Sequence, residues 1–396
     1  MNEQREVVIL SGVRTAIGDY GGSLKDIPPT ELAAKVVREA VSRAKVDPKD
    51  IGQCVFGNVI HTDTKDMYLS RVAALKGGLP PESGALTLNR LCGSGMQAIV
   101  TASQYILLGD IDAAVAGGAE SMSRAAYANV TQRWGARMGD AKDLDMMVGA
   151  LTDPFDSIHM GVTAENVANK IGITRADQDA FAVESHKRAA NAIAKGYFKD
   201  QILPIELKSK KGPVQFDTDE HVRGDASVEG MGKLRAVFVK ENGTVTAGNA
   251  SGINDAAAAV VLMEKSVAAK KGLKPMARLV SYGHAGIDPK IMGLGPVSAV
   301  KSALKKAELR LEQMDVIESN EAFAAQALGV SKELGMNPEK VNPNGGAVAL
   351  GHPIGATGCI LTVKAMYELH RTGGRYGLIT MCIGGGQGIA AVIERI

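Results

Sequence analysis

Short apolar runs ending in small residues recur along the chain, at residues 7–10, 54–56, 113–116, 257–262, 277–280 and 378–381. Runs of this length bounded by turn residues predict strands. Between several of them lie stretches of helical length, at 30–45, 96–108 and 357–369. Strands that alternate with helices imply an α/β fold.

Two parts of this pattern look related. In the first, Leu86-Thr-Leu-Asn-Arg-Leu-Cys92-Gly-Ser-Gly opens a helix, and a strand then ends at Gly117-Gly118-Ala119-Glu120. In the second, Val341-Asn-Pro-Asn-Gly-Gly leads to Gly351-His352-Pro353-Ile354-Gly355, again opening a helix, and the next strand ends at Cys382-Ile-Gly384-Gly-Gly-Gln387. Any two α/β units share such an order, but shared placement of reactive residues favours an internal duplication. Between the halves, about residues 122–250, the periodicity is interrupted and Arg, Lys, Asp, Met and Gly are richer. This stretch holds Arg133-Trp134-Gly-Ala-Arg137-Met138, a helix at 175–195 introduced by the cap-like Thr174, and a polar loop at 208–213. It reads as an inserted lid or loop domain, with Trp134 and its arginines as a surface or subunit contact.

Composition narrows the classes. A chain of 396 residues has room for two or three domains of about 100–200 residues each. With 45% apolar and 22% charged residues it has the make-up of a soluble globular protein. The net charge is +2 and the basic residues are dispersed, without the stripe that phosphate-backbone binding needs, so no nucleic-acid partner is expected. Cys54, Cys92, Cys359 and Cys382 lie far apart with no C-x-x-C pair, which points away from a disulfide framework and from a metal site. The run at 7–10 is too short for a secretory core, and no apolar stretch reaches the roughly 18 residues that span a bilayer. A cytoplasmic protein with reduced thiols and no membrane association is expected.

The candidate chemistry lies in three glycine-bounded turns. Cys92 precedes Gly93-Ser94-Gly95 and a helical run, a place where free N–H groups and the helix dipole favour a thiolate. A lone cysteine near a strand end is also an ordinary small buried residue. His352 sits in a turn so rich in glycine that backbone and ligand can approach the imidazole closely. Cys382 is followed by a glycine loop of free amides suited to a developing oxyanion. One histidine and two cysteines so placed suggest a nucleophile, its activating base and a second acid/base group. Dinucleotide binding fits poorly, because no G-x-G-x-x-G joins a first strand to a helix and no Walker lysine is present. A cysteine-protease dyad of Cys92 and His352 leaves Cys382 without a role. Asn320-Glu321-Ala322-Phe323 is either a helix cap or, with Asn320, a holder of water near a reacting carbonyl.

The set Asn89-Arg-Leu-Cys92-Gly-Ser-Gly, Gly117-Gly-Ala-Glu120-Ser-Met-Ser, His159-Met160-Gly161, Thr246-Ala-Gly-Asn249-Ala-Ser-Gly, Asn320-Glu-Ala-Phe323, Gly351-His352-Pro-Ile-Gly355 and Cys382-Ile-Gly-Gly-Gly-Gln resembles the thiolase family from end to end. Within it, the chain is most similar to biosynthetic acetyl-CoA acetyltransferases and bacterial beta-ketothiolases of the polyhydroxyalkanoate type. The resemblance implies a thiolase fold, five layers α-β-α-β-α from two duplicated halves with an inserted loop domain. Its boundaries would be 1–121 with 251–272 for the N-terminal half, 122–250 for the loop domain and 273–396 for the C-terminal half.

By the same resemblance Cys92 carries the acyl group, His352 activates it and Cys382 deprotonates the α-carbon of the second acetyl-CoA. Asn320 holds a water that forms one oxyanion hole with His352, and the amides of Cys92 and Gly384 form the other. Coenzyme A, a substrate rather than a resident cofactor, would lie along Leu151, His159, Met160, Arg223, Phe238, Ala247, Ser251, Met292, Ala322 and Phe323. The implied reaction joins acetyl-CoA to acetyl-CoA or another short acyl-CoA, reversibly. The alternatives are a degradative 3-ketoacyl-CoA thiolase of fatty-acid oxidation and an acyl-CoA-binding protein without turnover. Two departures from the family pattern, His61-Thr-Asp-Thr-Lys-Asp-Met67-Tyr68-Leu-Ser-Arg71 and Gly230 in place of a serine, bear on the acyl range and on one coenzyme A contact. The segment 124–140 matches a tetramer-forming loop, so a homotetramer is implied.

Overall fold

The computed structural model of the chain describes residues 5–210 and 212–396; residues 1–4 and Lys211 of the expected polar loop lie outside the described residues. Nine strands carry the architecture: β1 (Val7–Thr15), β2 (Gln53–Gly57), β3 (Gly84–Leu88), β4 (Ala113–Ser121), β5 (Asn254–Glu264), β6 (Ala277–Gly286), β7 (Val316–Ser319), β8 (Tyr376–Ile383) and β9 (Gln387–Arg395). They lie in one sheet in the order β7-β8-β9-β6-β1-β5-β4-β2-β3, with two two-residue strands added beside β5 and β1. Read from each outer edge the order is the same. β2 runs parallel to β3 and β4, then β5 and β1 follow antiparallel. In the other half β7 runs parallel to β8, then β9 and β6 follow antiparallel, and a parallel bridge from Val341 to Ile317 stands where β3 would be. The two sets meet through two residue pairs only, Val8 with Arg278 and Ile9 with Ala277.

Helices complete the layers. α1 (Pro29–Ala44) buries Leu32, Val36, Val37, Ala40 and Ala44, one stripe at helical spacing, and packs on β1, β4 and β5. α2 (Ser94–Leu108) packs on β2 and β4 of the first half. α3 (Met160–Ile171) and α4 (Arg175–Ala194) lie in the inserted segment, where Thr174 and Asp177 form a reciprocal capping box at the start of α4. α5 (Gly295–Ala307) covers β6 and β9. α6 (Ala324–Leu334) follows β7, and α7 (Ile354–Thr372) touches β4, β5, β7 and β8 as well as α2. Lying between strands of both halves, α7 is buried around most of its circumference.

The crossing of α2 and α7 positions the site. A methyl group on Gly95 would lie 2.8 Å from the amide nitrogen of Cys359, and one on Gly358 would lie 2.3 Å from that of Met96. A Cβ on Gly118 in β4 would lie 2.0 Å from the carbonyl oxygen of Gly355. Backbone therefore packs on backbone where the two helices begin, and the residues just before them, Cys92 and His352, are drawn to the same place.

The strands run further than the apolar runs that announce them. β1 continues through Ser11-Gly12-Val13-Arg14, and Arg14 is wholly buried in a two-pronged ion pair with Asp219 at 2.7 and 2.9 Å. Burying one of these charges without the other would cost several kcal/mol, about 3–5. The pair therefore fastens the inserted segment to the first strand. Near the start of that segment a short hairpin, Tyr127–Asn129 with Asp143–Asp145, carries a loop on which Trp134 and Met138 are 89% and 97% exposed. Among the described residues no helix is long and apolar enough to cross a membrane.

Candidate active site

β3 ends at Leu88, and four residues later the chain turns to present Cys92 one residue ahead of Gly93, the N-cap of α2. The turn is strained: Leu91 has φ 47°, a left-handed conformation unusual for a residue with a branched side chain. Two side chains hold it. Asn89 Oδ1 accepts from the Leu91 amide at 2.9 Å, while Ser94 Oγ accepts from the Arg90 amide at 2.8 Å and donates to the Leu91 carbonyl at 2.7 Å. A Cβ on Gly93 would lie 2.5 Å from Ile383 Cδ1, so the turn packs directly against the end of β8.

That contact brings the second half to the thiol. The amides of Gly384 and of Cys92 itself face the Cys92 sulfur. Burial nevertheless pushes the thiol up to about 11, with the nearby Glu120 charge adding to the rise and the two amides offsetting part of it. This corrects the expectation of a thiolate at the helix start: desolvation outweighs the dipole, and Cys92 rests as a thiol that needs a base. Cys382, at the end of β8, is fully buried and is held above the ordinary thiol range by burial and then by the neighbouring Cys92.

His352 follows Gly351 in a turn whose amide donates to Asn254 Oδ1 at 2.9 Å. His352 is 5% exposed and burial pushes its imidazole down to about 4, so the ring is neutral at pH 7. The hydrogen-bond pattern selects the tautomer. Thr357 Oγ1 lies 3.0 Å from the Pro353 carbonyl, which accepts its single hydrogen, and 2.7 Å from His352 Nδ1. With the hydroxyl proton committed, Thr357 accepts from Nδ1–H and leaves a lone pair on Nε2. Nε2 faces Asn320 Nδ2 at 3.4 Å. Asn320 is fixed just past β7 by its amide, which donates to the Thr380 carbonyl at 3.0 Å.

Two carboxyl groups brace these turns, and sequence reasoning gave neither a role. Glu120 accepts from the amides of Val59, Ile60 and Gly355 and from Asn58 Nδ2, at 2.8–3.1 Å, tying the loop after β2 to the start of α7. Burial pushes it up to about 8. Glu321 accepts from Ser185 Oγ and Asn342 Nδ2, both at 2.7 Å, and from the Val348 amide at 3.1 Å, tying the Asn320 turn to α4. Thr357 and Asn254 carry no spacing signal that would single them out. Glu120 and Glu321 stand inside motifs quoted above, yet their partners are 21 to 235 residues away.

Of the residues expected to line coenzyme A, Met160, Met292, Ala322 and Phe323 pack in one cluster with Cys382. Leu151 packs beside Cys92 and Ile354. His159 caps α3, its Nδ1 accepting from the Gly161 amide at 3.0 Å, and stacks on Phe238 at 4.6 Å. Phe238 in turn meets Phe323 edge-on. Ser251 joins this wall through its amide, which donates to the Ala322 carbonyl at 3.0 Å. Ala247 and Arg223 lie further out: both are exposed, and Arg223 is anchored to Asp19 at 3.3 Å. Among the described residues no group of three or more His, Cys, Asp or Glu side chains is placed to hold a metal ion.

The histidine makes a pH prediction. It titrates at about 4 in the fold and at 6.5 in the unfolded chain, so between these values only the unfolded chain binds this proton. The resulting stability is complete above pH 6.5 and is lost as pH falls through 4. Between those limits the parent is expected to lose up to about 3 kcal/mol more than His352→Gln in denaturant unfolding. Equal losses would place the imidazole in a solvated environment.

Residues 7–266 match the family described as thiolase, N-terminal domain, and residues 273–395 match thiolase, C-terminal domain. The chain is 67% identical over 392 residues to the beta-ketothiolase BktB of Cupriavidus necator, covering 99% of this chain and 100% of that one. Among solved structures, it resembles the Bacillus anthracis acetyl-CoA acetyltransferase at 46% identity, with TM-score 0.97 and 100% of both chains covered. The human mitochondrial 3-ketoacyl-CoA thiolase is similar at 44% identity and TM-score 0.97, over 99% of this chain and 100% of that one.

Proposed function

The chain belongs to the thiolase family, and we propose that it acts as a beta-ketothiolase, condensing acetyl-CoA with acetyl-CoA or another short acyl-CoA through an acyl-Cys92 intermediate. The observation that carries the residue assignment is the meeting of the Cys92 sulfur with the Gly384 amide beside Cys382. In the first half-reaction His352 Nε2 takes the Cys92 proton and the thiolate adds to the thioester carbonyl. The oxyanion lies against the amides of Cys92 and Gly384, preorganised donors that cost no reorganisation as charge develops. Coenzyme A leaves as its thiolate and takes the proton from His352. In the second half-reaction Cys382 passes its proton to His352 Nε2 and, as thiolate, removes the α-proton of acetyl-CoA. Burial makes that thiolate a strong base, since what raises a thiol's pKa raises the basicity of its anion. The enolate oxygen meets a water held by Asn320, and the Nε2–H of His352 whenever that nitrogen is protonated. The enolate carbon joins the acyl carbon and the thioester to Cys92 breaks; the Cys92 thiolate takes the proton from His352, and the α-proton stays on Cys382.

The wall of His159, Met160, Phe238, Met292, Ala322 and Phe323, with Leu151, Ala247 and Ser251, holds pantetheine and a short acyl group, and Arg223 lies toward the nucleotide. The domain division is 1–121 with 251–272, then 122–250, then 273–396; the repeated strand order supports it. The exposed apolar loop bearing Trp134 and Met138 supports assembly as a homotetramer, and the enzyme works in the cytoplasm. Rates over 3-ketoacyl-CoA chain length test the short-chain reading, because each methylene is worth roughly 1–3 kcal/mol in a fitted pocket. The maximum is expected at the shortest chains; one beyond about eight carbons would identify the degradative activity instead.

A further inference from the structure

Beside Asn320 lies a small cavity of about 10 Å³, lined by Asn320, Thr357 and Lys364 among otherwise apolar or glycine residues. A single water needs about that much room, together with polar partners. Two observations point to what fills it. The first is that Asn320 is wholly buried, yet among the described residues its Oδ1 has no hydrogen-bond partner. The second is Lys364, an ammonium buried inside the central helix α7, its side chain 2% exposed. It donates to Glu318 Oε2 at 2.8 Å and to the Gly345 carbonyl at 2.7 Å, which leaves one N–H over. Glu318 Oε1 is likewise without a partner.

The direction of the Asn320 amide matters because its two ends are nearly the same size and opposite in chemistry. With the lone pair of His352 on Nε2, the Asn320 NH2 must face the imidazole; reversed, Oδ1 would oppose that lone pair. That contact is long, at 3.4 Å, and among the described residues no other hydrogen bond of the Asn320 side chain reinforces it. We propose that Lys364 is a positioning residue of the condensation step: through one water in this cavity it satisfies Asn320 Oδ1 and so keeps the amide NH2 turned to the active site. The water accepts from the spare N–H of Lys364 and donates to Asn320 Oδ1. The Glu318 carboxylate balances the ammonium, so the pair is retained in a place where an apolar pair of the same volume would be as stable or more so. This rests on the assignment of Asn320 to the enolate oxyanion hole.

Two experiments decide it. In a crystal structure of the native enzyme at high resolution, an ordered water is expected within about 3.2 Å of both Asn320 Oδ1 and Lys364 Nζ. A dry cavity overturns the proposal. In the double variant Lys364→Met with Glu318→Leu, which removes both charges together, acetylation of Cys92 by acetyl-CoA is expected at the parent rate. Formation of 3-ketoacyl-CoA is expected to fall about tenfold or more, short of the roughly 10²–10³-fold loss of an oxyanion donor itself. The pair Lys364→Gln with Glu318→Gln keeps a donor beside the cavity and restores condensation. Parent-like condensation in the Met/Leu variant, equal loss of both half-reactions, or failure of the Gln/Gln pair to recover each overturns it. Should either pair fail to fold, the crystal water alone decides. If the parent itself forms no acetyl-Cys92, the function assigned above fails, while the cavity water is still judged by the crystal structure.

Discussion

Cys92→Ala is expected to abolish both half-reactions, lowering turnover by at least about 10⁴-fold, as removal of a covalent nucleophile does elsewhere. The substitution removes one sulfur from a half-buried position and leaves the turn intact. Asn89 and Ser94, not the cysteine, hold the strained Leu91. Folding should therefore be little affected, and coenzyme A should still bind, because the walls proposed for it come from the inserted segment and from the turns around Met292 and Phe323. The measurement is intact mass after acetyl-CoA, paired with steady-state rate. The parent should gain one acetyl group, quenched in acid, and the variant none. An acetyl group still found on the variant would place the nucleophile elsewhere, with Cys382 the neighbour to examine.

Cys382→Ser should separate the half-reactions. Serine keeps the size and loses the base, since a buried hydroxyl is far harder to ionise than a buried thiol. Cys92, its two facing amides and His352 are untouched, so acetylation is expected within a few-fold of the parent. Condensation is expected to fall by about 10²–10⁴-fold, the usual value of a positioned general base. Loss of α-proton exchange from acetyl-CoA, followed by deuterium, would track the condensation rate. If acetylation fell as far as condensation, Cys382 would be serving the nucleophile and not the enolate.

The architecture was largely legible beforehand, and the reason is local. Six apolar runs each became part of a strand, and three helical stretches became α1, α2 and α7, because burial along an element writes itself into the spacing of neighbouring residues. What local pattern could not reveal was continuation through polar residues. Ser11 and Arg14 extend β1, and Asn254 and Asp255 open β5, because partners 29 to 236 residues away satisfy them. The site shows the same division. Cys92, His352, Cys382 and Asn320 stood out through their glycine turns; Glu120, Glu321, Thr357 and Lys364 did not, since a bracing residue is defined by its partner and not by its neighbours in sequence.

The chain by itself determined which groups are available for the chemistry, that they sit at strand ends before helices, and to which family they belong, for these properties are carried by residue type and near spacing. The tertiary structure alone decided their ionic state. Cys92 is a thiol at about 11 and His352 a neutral base at about 4 because of the water that distant segments exclude. Which nitrogen of His352 is free depends on a hydroxyl of α7 already committed to a carbonyl. Desolvation and proton placement are sums over every atom that surrounds a group, and only folding brings those atoms together.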